Sequence, residues 1–525
     1  MFTVSHIIMI LRYLWSLSTA CATALWLASG AQGNNCSSAA IARPSIPNGQ
    51  VLDVSAYPVD NYKHRDSTLD FCNVTITYTH PSWHDDIHIF IWLPSTDWSQ
   101  RLQSAGGSGW SALKSDYSLA EAVYGKYAVV GTDAGHERNP TSSGDWSLDK
   151  SGHANIPLLK DFAYVALNDA AVVAKGVVRD FYGNGPRYSY WNGCSTGGRQ
   201  GLMMAQRYPT VFDGILANAP AINWAKFVVA EFWPSFVMNQ MQHYPPACVM
   251  NAITDATVQA CDADDGVKDQ VISDPGSCQF DPMTMVNHRV NCSGESIPVT
   301  EKDVTVVLKS WEGMRAPDGS FLWYGLEKGA PLSQGLAGVN CTTGPTNCTG
   351  IPFSIAADWI SQFILENPST DLTCLNHAQL QQIFHQSLDK FNRIIGTDNP
   401  DLSAFKKAGR KMITWHGLAD ELIFPKGTEH YYKQVAAGDP SVHDYYRLFL
   451  APGVNHCRDG KGALPIDALE PVVNWVEKGI APEKIAARTL DQVRTRDLCP
   501  YPLVSVYKGG DNRKESSYAC EKRPT

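Results

Sequence analysis

The sequence predicts an α/β fold, a doubly wound sheet interrupted by a large inserted cap. Short apolar strands alternate with loops and helical stretches through the first 220 residues, as in parallel strand–helix–strand units. That rhythm stops beyond Pro220, where Cys, Asn, Pro and Trp become frequent, and it resumes at Lys411. Just before that break, at Trp191-Asn-Gly-Cys-Ser-Thr-Gly-Gly-Arg-Gln-Gly201, an aromatic strand runs into a glycine-flanked serine and then a helix. Gly193-Cys194-Ser195-Thr196-Gly197 matches G-x-S-x-G in the strand–turn–helix setting that motif needs. Glycines at 193 and 197 would relieve the crowding of so tight a turn and leave Ser195 Oγ exposed at the top of the sheet.

In chain order, residues 1–33 read as a targeting segment. An apolar run from Tyr13 to Leu27 is followed by the small residues Ala28 to Ala31, a cleavage site; retention as a membrane anchor is the alternative. Cys36 to Asp66 reads as irregular, with Cys72 placed to be stapled back to Cys36. Asn73–Tyr78 and Ile87–Leu93 alternate like half-buried strands and predict a hairpin at the sheet edge. Arg101–Gln103 predicts a strand feeding the glycine cluster Ser104–Trp110, and Tyr127–Thr132 a further buried strand. Ala163–Phe181 has helical periodicity, with Val165, Leu167, Ala171, Val172 and Val177 toward the core. Residues 221–397 form the inserted lid, and the catalytic domain is made of 34–220 and 398–525. Strands return at 411–415 and 446–450, a helix at Ile466–Lys478, and Cys499–Cys520 would tie down the tail.

A formal charge of −9 with no Lys/Arg cluster argues against a nucleic-acid partner. There are 14 cysteines, and N-x-S/T sequons occur at Asn35, Asn73, Asn291, Asn340 and Asn347. With the leader, these place the protein in a secretory route, extracellular and free of the membrane once the leader is cleaved.

A serine nucleophile needs a base and a residue to orient that base. In α/β-hydrolase order these follow as Asp or Glu, then His, each on a loop after a strand. Strand 411–415 is followed by His416-Gly-Leu-Ala-Asp420-Glu421, and strand 446–450 by Ala451-Pro-Gly-Val-Asn-His456-Cys457. Asp420 and His456 therefore fall at the acid and base positions, with Glu421 and His416 as their rivals. Cys194 precedes the serine and Cys457 follows the histidine. A serine–histidine contact would bring both cysteines within the roughly 4.4–6.8 Å Cα separation of a disulfide.

The cysteine-flanked serine and histidine, with Gly-Cys-Ser-Thr-Gly-Gly-Arg-Gln-Gly in full, resemble the fungal tannase and feruloyl esterase family from about Phe71 to Trp475. The resemblance implies an α/β-hydrolase core with a lid and hydrolysis of phenolic esters. It implies Ser195 as nucleophile, His456 as base, Asp420 as orienting acid and Cys194–Cys457 as a bridging disulfide. By the same logic Thr196 N–H would donate to the oxyanion, with Gly106 or Gly107 as second donor.

Cys261 to Cys278 holds four aspartates within eight residues, a set that would repel unless solvated or bound to a hard cation. Its spacing is not that of an EF-hand. The resemblance implies a structural Ca2+ held by side chains of Asp262, Asp265 and Asp269 and carbonyls of Val267 and Val271, with Cys261–Cys278 closing the loop. Ser108–Leu119 lacks the cysteine that feruloyl esterases of this family often carry there. Cys248–Cys292 and Cys341–Cys348 would leave Cys374 unpaired. The expected substrate is a small or polysaccharide-linked aromatic ester of hydroxycinnamoyl type. Galloyl esters, an ester or lactone of fungal secondary metabolism, and a non-catalytic binding protein on this scaffold are the alternatives.

Overall fold

The computed structural model describes residues 35–342 and 344–522. The predicted leader lies outside them. The chain begins with β1 (Gln50–His64), β2 (Ser67–Thr79), β3 (Ile87–Pro94), β4 (Arg101–Ala105), α1 (Asp116–Tyr124) and β5 (Ala128–Thr132). It continues through α2 (Ile156–Ala163), α3 (Val165–Tyr182), β6 (Tyr188–Cys194), α4 (Thr196–Arg207) and β7 (Gly214–Asn218). Next come α5 (Trp224–Glu231), α6 (Trp233–Met241) and α7 (Ala247–Cys261). The hairpin β8 (Arg289–Cys292)–β9 (Glu295–Pro298) then precedes α8 (Glu301–Glu312) and the hairpin β10 (Gly338–Cys341)–β11 (Cys348–Ile351). Helices α9 (Ser354–Asp358), α10 (His377–Ile395) and α11 (Ser403–Lys407) lead to β12 (Lys411–Gly417), α12 (Pro425–Gly438), β13 (Tyr446–Ala451) and α13 (Leu469–Lys478).

Nine strands form one mixed sheet in the order β1-β2-β3-β5-β4-β6-β7-β12-β13. The pairs from β1 to β5 are antiparallel, and those from β5 through β4, β6, β7 and β12 to β13 are parallel. Strands β5 and β7 are buried at all five positions, the signature of a parallel sheet covered on both faces. In β2, buried Val74, Ile76 and Tyr78 alternate with half-buried Asn73, Thr75 and Thr77. The insertion contributes no strand to this sheet.

Three expectations need correction, the first being that the β2–β3 hairpin lies one strand in from the sheet edge, which β1 occupies. The stretch read as irregular before Asp66 contains β1, a 15-residue edge strand. Register shifts between Val51 and Asp53 and between Val59 and Tyr62 break its period, and Pro58 sits where an edge strand tolerates it. Val172 is 44% exposed, because the buried face of α3 is set by Ala166, Ala170, Val173 and Val177.

The disulfides expected from the sequence all form: Cys36–Cys72, Cys194–Cys457, Cys248–Cys292, Cys261–Cys278, Cys341–Cys348 and Cys499–Cys520. Cys374 is free and exposed. Among the described residues no helix is long and apolar enough to cross a membrane.

Candidate active site

Strand β6 ends at Cys194 and α4 begins at Thr196, so Ser195 alone turns the chain. Its backbone sits at φ 66°, ψ −127°, a region that costs a residue with a side chain about 1–3 kcal/mol. Close approach makes the neighbouring glycines necessary. A Cβ on Gly193 would lie 2.5 Å from the Gly197 backbone, and one on Gly106 would lie 2.7 Å from Gly197 Cα. Three backbone bonds hold the turn: Ser195 N–H donates to Asn218 O at 3.1 Å, and Ser195 O accepts from Arg199 and Ala221 at 3.0 and 3.1 Å.

Arg199, fully buried on α4, anchors the helix that follows the serine. Its guanidinium donates to the carbonyls of Ala163 and Phe162 at 3.1 and 3.2 Å and lies over the Phe162 and Trp224 rings. Burial pulls its pKa down to about 9.

Asp420 is the centre of the acid side. One carboxylate oxygen accepts the N–H groups of Leu422 and Ile423 at 2.9 and 2.8 Å. The other meets His456 Nδ1 at 2.8 Å and His416 Nε2 at 3.0 Å. Burial alone would raise its pKa, but the charge of His456 and the hydrogen bonds from both imidazoles hold it well below the usual carboxylate range. Burial pulls His456 down, yet Asp420 and then Glu421 more than reverse this, leaving it above 6.5.

The two rivals acquire different places. His416 lies at the end of β12, fully buried, its Nε2–H shared between Asp420 and Ile423 O and its Nδ1 facing the Thr428 hydroxyl at 2.9 Å. It locks Asp420 and faces away from any solvent. Glu421 accepts the backbone N–H of His456 at 3.0 Å. Sequence reasoning missed both contacts; the spacing of His416 four residues before Asp420 was the available signal.

Cys194 and Cys457 join the serine turn to the histidine loop with Cα atoms 6.0 Å apart, across 263 residues of sequence. No hydrogen bond joins Ser195 Oγ to His456 Nε2 among the described residues, and that nitrogen lies 3.6 Å from Cys457 Sγ. In this arrangement the serine turn and the histidine loop are joined by the disulfide. Replacing both cysteines by Ala is expected to lower stability by about 5 kcal/mol on the chain-entropy estimate. It should also lower kcat more than it raises KM; a double variant with wild-type melting and kcat would leave the disulfide without this role.

The oxyanion expectations divide. Gly106 N–H is donated to Asn192 O at 3.0 Å and Gly107 N–H to Gln200 Oε1 at 2.8 Å. Both loop glycines shape the site by close approach, and neither N–H is free in this arrangement. Thr196 N–H, in the first turn of α4, meets no acceptor among the described residues, while its hydroxyl is tied to Gly109 O at 2.7 Å.

A sequence profile described as "Tannase and feruloyl esterase" matches residues 72–521. The chain belongs to the tannase and feruloyl esterase family. It is thus a carboxylic ester hydrolase of a family whose substrates are phenolic esters. A probable feruloyl esterase of Arthroderma benhamiae is 40% identical over 504 residues, covering 92% of this chain and 93% of that protein. The tannin acyl hydrolase of Aspergillus niger superposes with a TM-score of 0.85 at 25% identity, over 93% of this chain and 95% of its own. Feruloyl esterase B of Aspergillus oryzae follows with a TM-score of 0.75 at 27% identity, over 91% and 98%.

In the acidic loop, Asp262 Oδ1 accepts the N–H groups of Asp269, Gln270 and Val271. Asp265 takes Val267 N–H, the Ser273 hydroxyl and Arg496. Asp269 Oδ1 is buried without a partner, and the carbonyls of Val267 and Val271 accept no hydrogen bond among the described residues. The side chains of Asp262, Asp265 and Asp269 do not each bring a ligand atom within 4.8 Å of the other two in this arrangement. Arg496, 3.2 Å from Asp265 and 3.9 Å from Asp269, supplies part of the counter-charge and was not foreseen.

Proposed function

We propose that Ser195, His456 and Asp420 are nucleophile, base and orienting acid of a secreted serine esterase that cleaves hydroxycinnamoyl-type phenolic esters through an acyl-enzyme. The observation that carries this reading is the 2.8 Å contact of His456 Nδ1 with Asp420, on a loop disulfide-linked to a strained serine. Ser195 Oγ attacks the ester carbonyl as His456 Nε2 takes its proton, while Nδ1–H stays with Asp420. Thr196 N–H faces the oxyanion. The imidazolium then protonates the leaving alcohol, and water repeats the cycle to release the acid. Residues 221–397 act as the lid over a core made of 34–220 and 398–525, a division supported by the absence of lid strands from the sheet.

The 40% identical relative supports a feruloyl-type acyl group. The second reading, a galloyl ester, is favoured by the 0.85 TM-score of the tannin acyl hydrolase. A panel of methyl ferulate, methyl gallate and simple alkyl esters separates them. We expect ferulate to lead gallate by about tenfold or more in kcat/KM, the scale on which pocket contacts discriminate. A gallate preference installs the second reading; activity on alkyl esters alone sinks both.

In this proposal Ca2+ sits in the acidic loop on Asp262, Asp265, Asp269, Val267 O and Val271 O, and stiffens it without touching the reaction. Chelation is expected to lower the melting temperature by a few degrees, with Ca2+ restoring it; a melt indifferent to both would remove the ion from the loop. Six disulfides support the secretory route. Asn35, Asn291, Asn340 and Asn347 are exposed as glycan acceptors must be, whereas Asn73 is half-buried with its amide donating to Tyr57 Oη at 2.8 Å.

A further inference from the structure

A second cluster of titratable groups lies apart from the residues of the active site. His80 follows β2, Asp85 stands in the turn before β3, Asp161 is on α2 and Asp169 on α3. All four are buried, at 4%, 7%, 0% and 4% exposure. His80 Nδ1 lies 2.6 Å from Asp85 Oδ2 and 3.9 Å from Asp161 Oδ1, and its Nε2 lies 3.3 Å from Asp169 Oδ2. One ligand atom from each of His80, Asp85 and Asp161 falls within 4.8 Å of the other two.

The partners of these groups are unequal. Asp85 accepts the Thr79 hydroxyl and the His80 N–H, and Asp169 takes the Tyr78 hydroxyl at 3.2 Å. Asp161 accepts no hydrogen bond from a protein donor, both its oxygens are buried, and burial beside Asp85 pushes its pKa up to about 9 despite His80 at 3.9 Å. Three carboxylates thus face one imidazole, whose single charge is already shared between Asp85 and Asp169. With His80 only at 3.9 Å and already engaged, an ionised Asp161 so buried is costly, so the site holds either a proton or a cation there. A divalent cation at the convergence point supplies what is missing.

We infer that His80 Nδ1, Asp85 and Asp161 bind a divalent first-row transition ion of the Zn2+ or Mn2+ class. An imidazole with carboxylates suits such ions, in contrast to the all-oxygen set of the acidic loop. Asp169 then holds the His80 Nε2–H, with Tyr78 behind it, as outer carboxylates fix the tautomer of a ligating histidine. The ion pins the β2–β3 turn to α2. The last carbonyls of α2, those of Phe162 and Ala163, are the ones that seat Arg199 of the nucleophile helix.

The competing state is a proton on Asp161 in place of the ion. The full-length secreted protein is stripped with a chelator, then dialysed against ZnCl2, MnCl2 or CaCl2, and read by elemental analysis and thermal melting. Asp161→Asn is run in parallel, with Asp269→Asn as a control for the acidic loop. About one Zn2+ or Mn2+ per chain is expected, not displaced by Ca2+, raising the melting temperature of the stripped wild type and of Asp269→Asn but not of Asp161→Asn. Wild type without bound Zn2+ or Mn2+, or Asp161→Asn retaining the ion, overturns the site. So does Asp161→Asn melting where the wild type does whatever the metal, because Asn mimics a protonated acid.

Discussion

Ser195→Ala is expected to cut kcat on a chromogenic phenolic ester by about 10⁶-fold, the loss seen when a triad nucleophile is removed. The residual rate would be that of binding and the Thr196 N–H donor alone. Folding should hardly change. Alanine keeps the Cβ, so the backbone at φ 66° stays as strained as with serine. The bonds to Asn218, Arg199 and Ala221 are all made by the backbone. A melt unchanged within about 0.5 kcal/mol would separate loss of chemistry from loss of fold. Retained turnover would remove Ser195 from the reaction.

Asp420→Asn is expected to cost about 10⁴-fold in kcat with little effect on KM. The two oxygens of Asp420 are not equivalent, and this fixes what Asn would do. Leu422 and Ile423 N–H need an acceptor, so the amide oxygen takes their side. The NH2 group then faces His456 Nδ1 and His416 Nε2–H. It donates to His456 Nδ1, which puts the imidazole proton on Nε2, the nitrogen that must accept one from Ser195. It also confronts the His416 Nε2–H with a second donor, so a stability loss of about 1–3 kcal/mol accompanies the kinetic one.

The charges around His456 set the pH profile as well. Its folded pKa lies above 6.5, and the base must be neutral to act, so kcat/KM should rise with pH through an apparent value above 6.5. Removing the Asp420 charge should move that limb down. For stability the signs are opposite for the two partners. The raised histidine contributes fully below its unfolded value of about 6.5, and the contribution is lost as pH rises through the folded value. The depressed Asp420 contributes above its unfolded value, and the contribution is lost as pH falls through the folded one.

What sequence could reveal here was local or covalent. The turn at Ser195 was legible from its glycines, and the Cys194–Cys457 bond from the cysteines' places beside Ser195 and His456. The edge strand β1 was hidden because its bulges and half-exposed face erase the alternation that marks β2. His416 was legible as a histidine but not as a partner of Asp420, since either histidine fits the sequence pattern for that contact. Gly106 and Gly107 were read as candidate oxyanion donors, and only the fold shows Asn192 and Gln200 taking their N–H groups. His80, Asp85, Asp161 and Asp169 have no motif at all. They meet because the turn between β2 and β3 lies beside α2 and α3.

Labelling with a fluorophosphonate, followed by peptide mass analysis, tests the triad most directly. A single adduct on the peptide containing Ser195, absent after His456→Ala, is the expected result. An adduct on another serine, or a protein that turns over phenolic esters yet takes no label, would contradict it.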